Sequence, residues 1–126
     1  MSSLGQQVYQ RVAAQTSSPP EQFAFLLDRA ASYVLEAKDH IEAKDIEKRF
    51  LATEKTLNVL TGLANVLDYD SEDVREFVTD LSAFLQRMIV GLVDINAKND
   101  PSLCDNMAGA LKEMARIWRQ AARAAI

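Results

Sequence analysis

From residue 23 onward, apolar positions recur at alternating steps of four and three, the spacing that lines up side chains on one face of an α-helix. Phe23, Leu27, Ala30, Val34, Ala37 and Ile41 form the first such stripe. Ser18 followed by Glu21 fits a capping box ahead of it, and proline is tolerated in a first turn. The polar stretch from Lys38 to Asp45 reads as a helix end and a turn. A second stripe follows in Ile46, Phe50, Thr53, Leu57, Leu60, Ala64 and Leu67, closed by Asp68-Tyr69-Asp70-Ser71, where Asp70 or Ser71 can cap the next helix. The third is very wide: Val74, Phe77, Val78, Leu81, Phe84, Leu85, Met88, Ile89, Leu92 and Ile95. The fourth is Cys104, Met107, Leu111, Met114, Trp118 and Ala121. Upstream, Leu4, Val8, Tyr9 and Val12 suffice for two or three helical turns before Pro19-Pro20 interrupts them.

Between the third and fourth stripes lies Asn96-Ala97-Lys98-Asn99-Asp100-Pro101. Asp100 is a strong N-cap, since its carboxylate can accept from the free N–H groups of the following turn. Pro101 suits the first helical position, where its missing N–H costs nothing. Two long helices therefore meet at a tight corner. Four long helices joined by short turns predict an all-α fold, an antiparallel up-down-up-down four-helix bundle. The expected organisation is one domain over 1–126, with 1–17 as a short accessory N-terminal helix and 18–126 as the bundle.

Composition narrows what such a bundle can do. The chain has 126 residues, 48% apolar and 25% charged, as in ordinary globular proteins. A formal charge of −4 and a pI near 4.9 argue against broad attraction to nucleic acid or anionic membrane. The longest purely apolar run, Met88–Val93, is far shorter than the ~20 residues of a membrane span. One cysteine, Cys104, allows no internal disulfide, and with no signal-peptide pattern over Met1–Gln15 a cytosolic protein is the expectation.

Enzymatic chemistry lacks its parts. A carboxylate-bridged metal site in a bundle needs two Glu-x-x-His pairs, and His40 is the single histidine. Phosphoryl transfer through His40 would be opposed by Asp39 and Glu42 beside it, so a solvated imidazole is expected. Cys104 lies on an apolar stripe and reads as a buried small hydrophobe. Gly62, Gly91 and Gly109 stand alone within helices, where they read as sites of close packing. No active site, cofactor or metal is expected.

Apolar surface, by contrast, is in excess. A bundle helix normally buries an arc about 100° wide. The second long helix adds Ala52, Val59, Leu63 and Val66 to its stripe, widening the arc to roughly 160° at 100° per residue. The first adds Leu26 and Tyr33, and the fourth adds Leu103, Ala110 and Ile117. Either these residues pack beneath the N-terminal segment and the turns, or they line a groove for another helix. The two readings combine if the segment bearing Val8, Tyr9 and Val12 covers the groove and yields to a partner.

The order of features resembles the flagellar secretion chaperone family FliS. Its members show an N-terminal Tyr-x-x-Val/Ile segment, a Thr/Ser-Ser-Pro-Glu start to the first long helix and a Gly-Asp turn. The third long helix ends in Leu-x-x-Ala-Asn-x-x-Asn-Asp, and a tryptophan follows late in the last. Here Tyr9 and Val12, Ser18-Pro19-Pro20-Glu21, Lys44-Asp45-Ile46, then Leu92, Asn96, Asn99 and Asp100, and finally Trp118 correspond, over about residues 6 to 121. Leu27-Asp28-Arg29-Ala30 replaces the usual Leu-Tyr-Asp-Gly, Ile95 replaces the alanine, and the connector after the N-terminal segment is short.

The resemblance implies an ATP-independent export chaperone of the bacterial cytosol. Its client would be the C-terminal region of flagellin, wrapped over the outer apolar strips, and export-gate or regulatory proteins would be further partners. Val8, Tyr9 and Val12 are then the displaceable cover, and Leu26, Tyr33, Val59, Leu63, Val66 and Ile117 the groove. Asn96 and Asn99, with Asp100, would hold the corner by bonding to backbone, direct client contact being the alternative. A helical homodimeric adaptor using the same strips stays open, so the chain is expected as a monomer or a weak homodimer.

Overall fold

The computed structural model describes residues 19–66 and 75–124, with side chains from 21 to 65 and from 79 to 120. Among these residues there are four α-helices and no strand: α1 Pro19–Glu42, α2 Ile46–Val66, α3 Arg75–Lys98 and α4 Pro101–Ala124. Helix α1 packs extensively on α4 and α2. Helix α3 packs on α2 and, least extensively, on α4, while the pairs α1–α3 and α2–α4 do not meet. The four helices therefore surround one core as a ring, as the all-helical bundle reading expected. The accessory N-terminal helix and the caps at Ser18, Asp70 and Ser71 fall outside the described residues.

Helix α1 is the hub. Phe23, Leu26, Leu27, Ala30, Ala31, Val34 and Ala37 are all buried, so its buried face is wider than the predicted stripe. Its alanines let the neighbouring backbones approach closely. Asp28 pairs with Arg119, and Lys38 pairs with Asp105 at 3.0 Å, so the start of α1 meets the end of α4 and the reverse. These two helices run in opposite directions, and the Phe23 and Trp118 rings pack at 5.2 Å near one end. The hydrogen bond to Asp105 raises the Lys38 pKa.

Helix α1 runs into the polar stretch and ends at Glu42, where the sequence places a helix end and a turn. The Asp45 amide donates to the His40 carbonyl (2.8 Å) and the Lys44 amide to Ile41 (3.0 Å), the paired bonds of a Schellman end. Lys44 occupies its left-handed position at φ 59°, where glycine is the usual residue. Left-handed backbone costs a side-chain-bearing residue roughly 1–2 kcal/mol, and glycine returns part of that gain as unfolded-chain entropy. Lys44→Gly is therefore expected to raise stability by up to about 1 kcal/mol in urea melts, with an unchanged m-value.

Asp45 then caps α2, its carboxylate accepting from the Lys48 amide at 3.1 Å. The second corner is tighter. Asn99 ends α3 at φ 50°, its amide donating to Ile95 (3.0 Å), and Asp100 accepts from the Ser102 amide (2.9 Å) and hydroxyl (2.8 Å). Those two bonds hold the Asp100 carboxyl below its ordinary pKa, as an N-cap requires.

Helix α2 departs most from its predicted stripe. Ile46 is 64% exposed, Phe50 53% and Leu57 39%, whereas Arg49, Ala52, Thr53, Thr56, Val59, Leu60 and Leu63 are buried. The buried face is rotated so that Phe50 and Leu57 stand roughly 100° from its centre. Polar residues conceal this face in the sequence. Thr56 is accommodated by donating to the Ala52 carbonyl at 3.0 Å.

The glycines divide. A Cβ at Gly91 would approach the Met107 methyl to 2.7 Å, so close packing of α3 on α4 holds there. Nothing lies within 4 Å of that position at Gly109, which corrects the packing role expected for it: it faces solvent. Cys104 is fully buried, and loss of hydration, aided by Asp105, pushes its thiol up to about 11 from 9.0. A raised folded-state pKa means that native stability falls as pH climbs from about 9 through 11. Urea melts across that range are expected to show the fall in the native protein and a flatter profile in Cys104→Ala. Alkylation by iodoacetamide at pH 8 should be slow until the protein unfolds.

Candidate functional site

An apolar groove runs between α2 and α3. Phe50, Leu57, Ile89, Leu92 and Val93 line it, with Thr53, Glu54 and Asn96 at its polar positions, around a volume of about 270 Å³. Its walls are the flanks that the core leaves over. On α3 the centre of the buried face passes through Leu81, Leu85 and Leu92, and Ile89, Val93 and Asn96 follow on one side at roughly 60–120°. On α2, Phe50 and Leu57 stand on the flank turned to them. Val93 is 66% exposed, and Val90 continues the apolar surface beyond it.

A polar cluster closes the groove at the end shared by the start of α2 and the end of α3. Arg49, only 7% exposed, donates through Nη1 to the Asn96 carbonyl (3.1 Å) and to the Asn99 side-chain oxygen. This ties the left-handed cap of α3 to the first turn of α2. Thr53 Oγ1 lies 2.9 Å from the Phe50 carbonyl and 3.0 Å from Asn96 Oδ1. One hydroxyl hydrogen serves one acceptor at a time, so an Asn96 amide turned to present its NH2 to Thr53 satisfies both contacts. Asn96 and Asn99 thus meet side chains of α2; they do not themselves bond to backbone through their side chains here. Asp100 caps α4 next to them.

The groove residues expected from the sequence are not brought together. Leu26, Val59 and Leu63 are buried in the hydrophobic core, where they fill space between helices. Their apolar character is the same whether a stripe faces inward or outward, so the pattern alone does not separate core from groove. Tyr33 is half-buried elsewhere, with Arg29 and Lys55 each 5.6 Å from its ring centre. Ile117, 37% exposed, lies by Leu81, Met114 and Trp118 in a separate cleft of about 180 Å³ between α3 and α4. The side chain of Val66 and all of Val8, Tyr9 and Val12 lie outside the description. Phe50, Leu57 and Val93 were missed as groove residues, and Arg49 was not singled out at all. The usable signal was the presence of apolar side chains around most of the α2 circumference, which no single core can absorb.

No helix among the described residues is long and apolar enough to cross a membrane, and none of their His, Cys, Asp and Glu side chains group to hold a metal ion. The fold and groove define a class: an all-helical bundle with an exposed apolar channel between two of its helices. The family model described as "Flagellar protein FliS" matches residues 1–125, and the chain belongs to the FliS family. It is 30% identical over 115 residues to the flagellar secretion chaperone FliS of Salmonella typhimurium, covering 90% of this chain and 84% of that protein. It is 26% identical over 113 residues to the flagellar secretion chaperone FliSB of Pseudomonas aeruginosa, covering 90% and 88%.

Proposed function

We propose that this protein is an ATP-independent export chaperone of the bacterial cytosol that binds the disordered C-terminal region of a flagellin. By masking the client's apolar helices it would prevent polymerisation before secretion, then hand the client to the export machinery. The observation that carries this reading is the exposed α2–α3 groove in a chain of the FliS family. An amphipathic client helix would lay its apolar ridge against Phe50, Leu57, Ile89 and Val93. Tyr33 and Ile117 lie on other faces of the ring, where a longer client could continue. Val8, Tyr9 and Val12 are proposed as a cover that the client displaces.

The energetics allow it. Ordering a disordered client consumes about 2–5 kcal/mol. Burying on the order of 1,500 Å² of apolar surface at about 25 cal/mol/Å² exceeds that several-fold before association costs are subtracted. Calorimetric titration with a flagellin C-terminal fragment is expected to give one-to-one binding with a negative heat-capacity change. Absence of heat together with absence of a complex by gel filtration would refute the reading. The same exposed strip could instead join two copies of this chain, and a dimer in sedimentation that the fragment fails to dissociate would favour that alternative.

A further inference from the structure

Adjoining the groove at its Asn96 end is a second cleft, of about 390 Å³, lined by His40, Lys44, Arg49 and Asn99 with Ile41 and Ile46 as its apolar walls. Three of those side chains are basic types in a protein whose net charge is −4. The single acid in the lining, Asp45, already caps the Lys48 amide and has the Lys48 ammonium 4.0 Å away.

Arg49 is the unusual member. It is more than nine-tenths buried, yet no carboxylate among the described residues pairs with it. Buried charges are ordinarily matched by an opposite charge, because a carbonyl or an amide offsets only part of the lost hydration. Here both acceptors are neutral, and both are served by Nη1. Nε is buried without a partner, and no hydrogen bond engages Nη2. Those two nitrogens form one edge of the guanidinium fork, the edge that grips a carboxylate with two parallel hydrogen bonds once the atoms that cover Nε move aside.

We propose that this cleft is a carboxylate-binding subsite at the end of the groove, taking an acidic group carried by the same polypeptide that fills the groove. Arg49 supplies the fork, and Lys44 and His40 supply the surrounding donors. The inference rests on the groove reading above and deepens it. The subsite sets which end of the client lies at the α2–α3 corner, because apolar contacts alone allow a helix to slide or to reverse. It also separates clients by charge: one with an amide in place of the acid leaves the Arg49 fork unfilled.

The test is titration of the full-length protein with a flagellin C-terminal fragment in three forms. One has a free terminus and its natural acids, one has an amidated terminus, and one has the Asp and Glu of its groove-binding helix changed to Asn and Gln. Each form is measured against the wild type, Arg49→Gln, Lys44→Gly and, as a groove control, Val93→Asp. Loss of the matching acid is expected to weaken binding to the wild type by about tenfold, and whichever form shows the loss names its source, terminus or side chain. Arg49→Gln is expected to weaken the acidic form about tenfold more than it weakens the amide form, and Lys44→Gly about threefold more, since only the acidic form engages the charge these residues carry. Because Lys44→Gly relieves the left-handed turn, its effect cannot be attributed to unfolding.

Equal affinity of the wild type for all three forms overturns the subsite. If Val93→Asp still abolishes binding in that case, the groove reading survives alone. Binding that is indifferent to Val93→Asp overturns the groove reading and the subsite with it.

Discussion

Val93→Asp is expected to weaken capture of a flagellin C-terminal fragment by about 100-fold or more, roughly 3 kcal/mol, while leaving the bundle as stable as before. Val93 stands at the middle of the exposed wall of α3, 66% accessible in the free protein, facing Phe50 and Leu57 across the groove. Because it contributes little to the core, an aspartate there costs the fold no more than about 0.5 kcal/mol, the usual scale for surface positions. In a complex the same carboxylate would be covered by the apolar ridge of a client helix, without a partner, and burial of an unpaired charge costs several kcal/mol. Thermal melts and calorimetric titrations of one preparation check both halves. Unimpaired binding would show that the client lies on another face; a collapsed melting temperature would show that Val93 belongs to the core.

The second large effect concerns two leucines one turn apart on α2. Leu60→Ala is expected to destabilise the protein by about 3–5 kcal/mol, since Leu60 is fully buried and its loss leaves a cavity among packed helices. Leu57→Ala is expected to cost under about 1 kcal/mol, because that side chain is already 39% exposed. The affinities should be ordered the other way, with Leu57→Ala weakening client binding and Leu60→Ala binding normally once folded. Urea melts paired with titrations at a temperature where both variants remain native decide it. Equal destabilisation would place Leu57 inside the core and remove one wall of the groove.

That pair shows where reading from the amino-acid pattern ends. Leu57 and Leu60 both belong to the predicted stripe of α2, and their three-residue spacing suits a single face. On α1 the pattern held, since Phe23, Leu27, Ala30, Val34 and Ala37 are buried as their spacing requires. The difference is contrast. Most of the α1 face is apolar with charges opposite, whereas the buried face of α2 includes Arg49, Thr53 and Thr56, and its apolar residues extend around the helix. Periodicity reports a face only where polar residues mark its edge. Arg49 was hidden for the same reason: a charged residue reads as solvent-facing until its acceptors, the Asn96 carbonyl and the Asn99 side chain, arrive from nearly fifty residues away.

Local chemistry was legible throughout. The Asp100-Pro101 corner, the turn before Ile46, the helical class and the burial of Cys104 all follow from short-range rules of capping, fixed proline geometry and spacing. The motif Leu92, Asn96, Asn99 and Asp100 was legible as a family signature, and the whole-chain match to FliS agrees with it. Which apolar flank stays uncovered was not legible. Leu26, Val59 and Leu63 face the core, and Phe50, Leu57 and Val93 face outward, because α2 packs most extensively on α1 while α3 packs on α2 and α4, which leaves the α2 and α3 flanks beyond those contacts uncovered. Helix rotation about its own axis is set by the sum of many contacts between distant segments, and no local rule carries that sum.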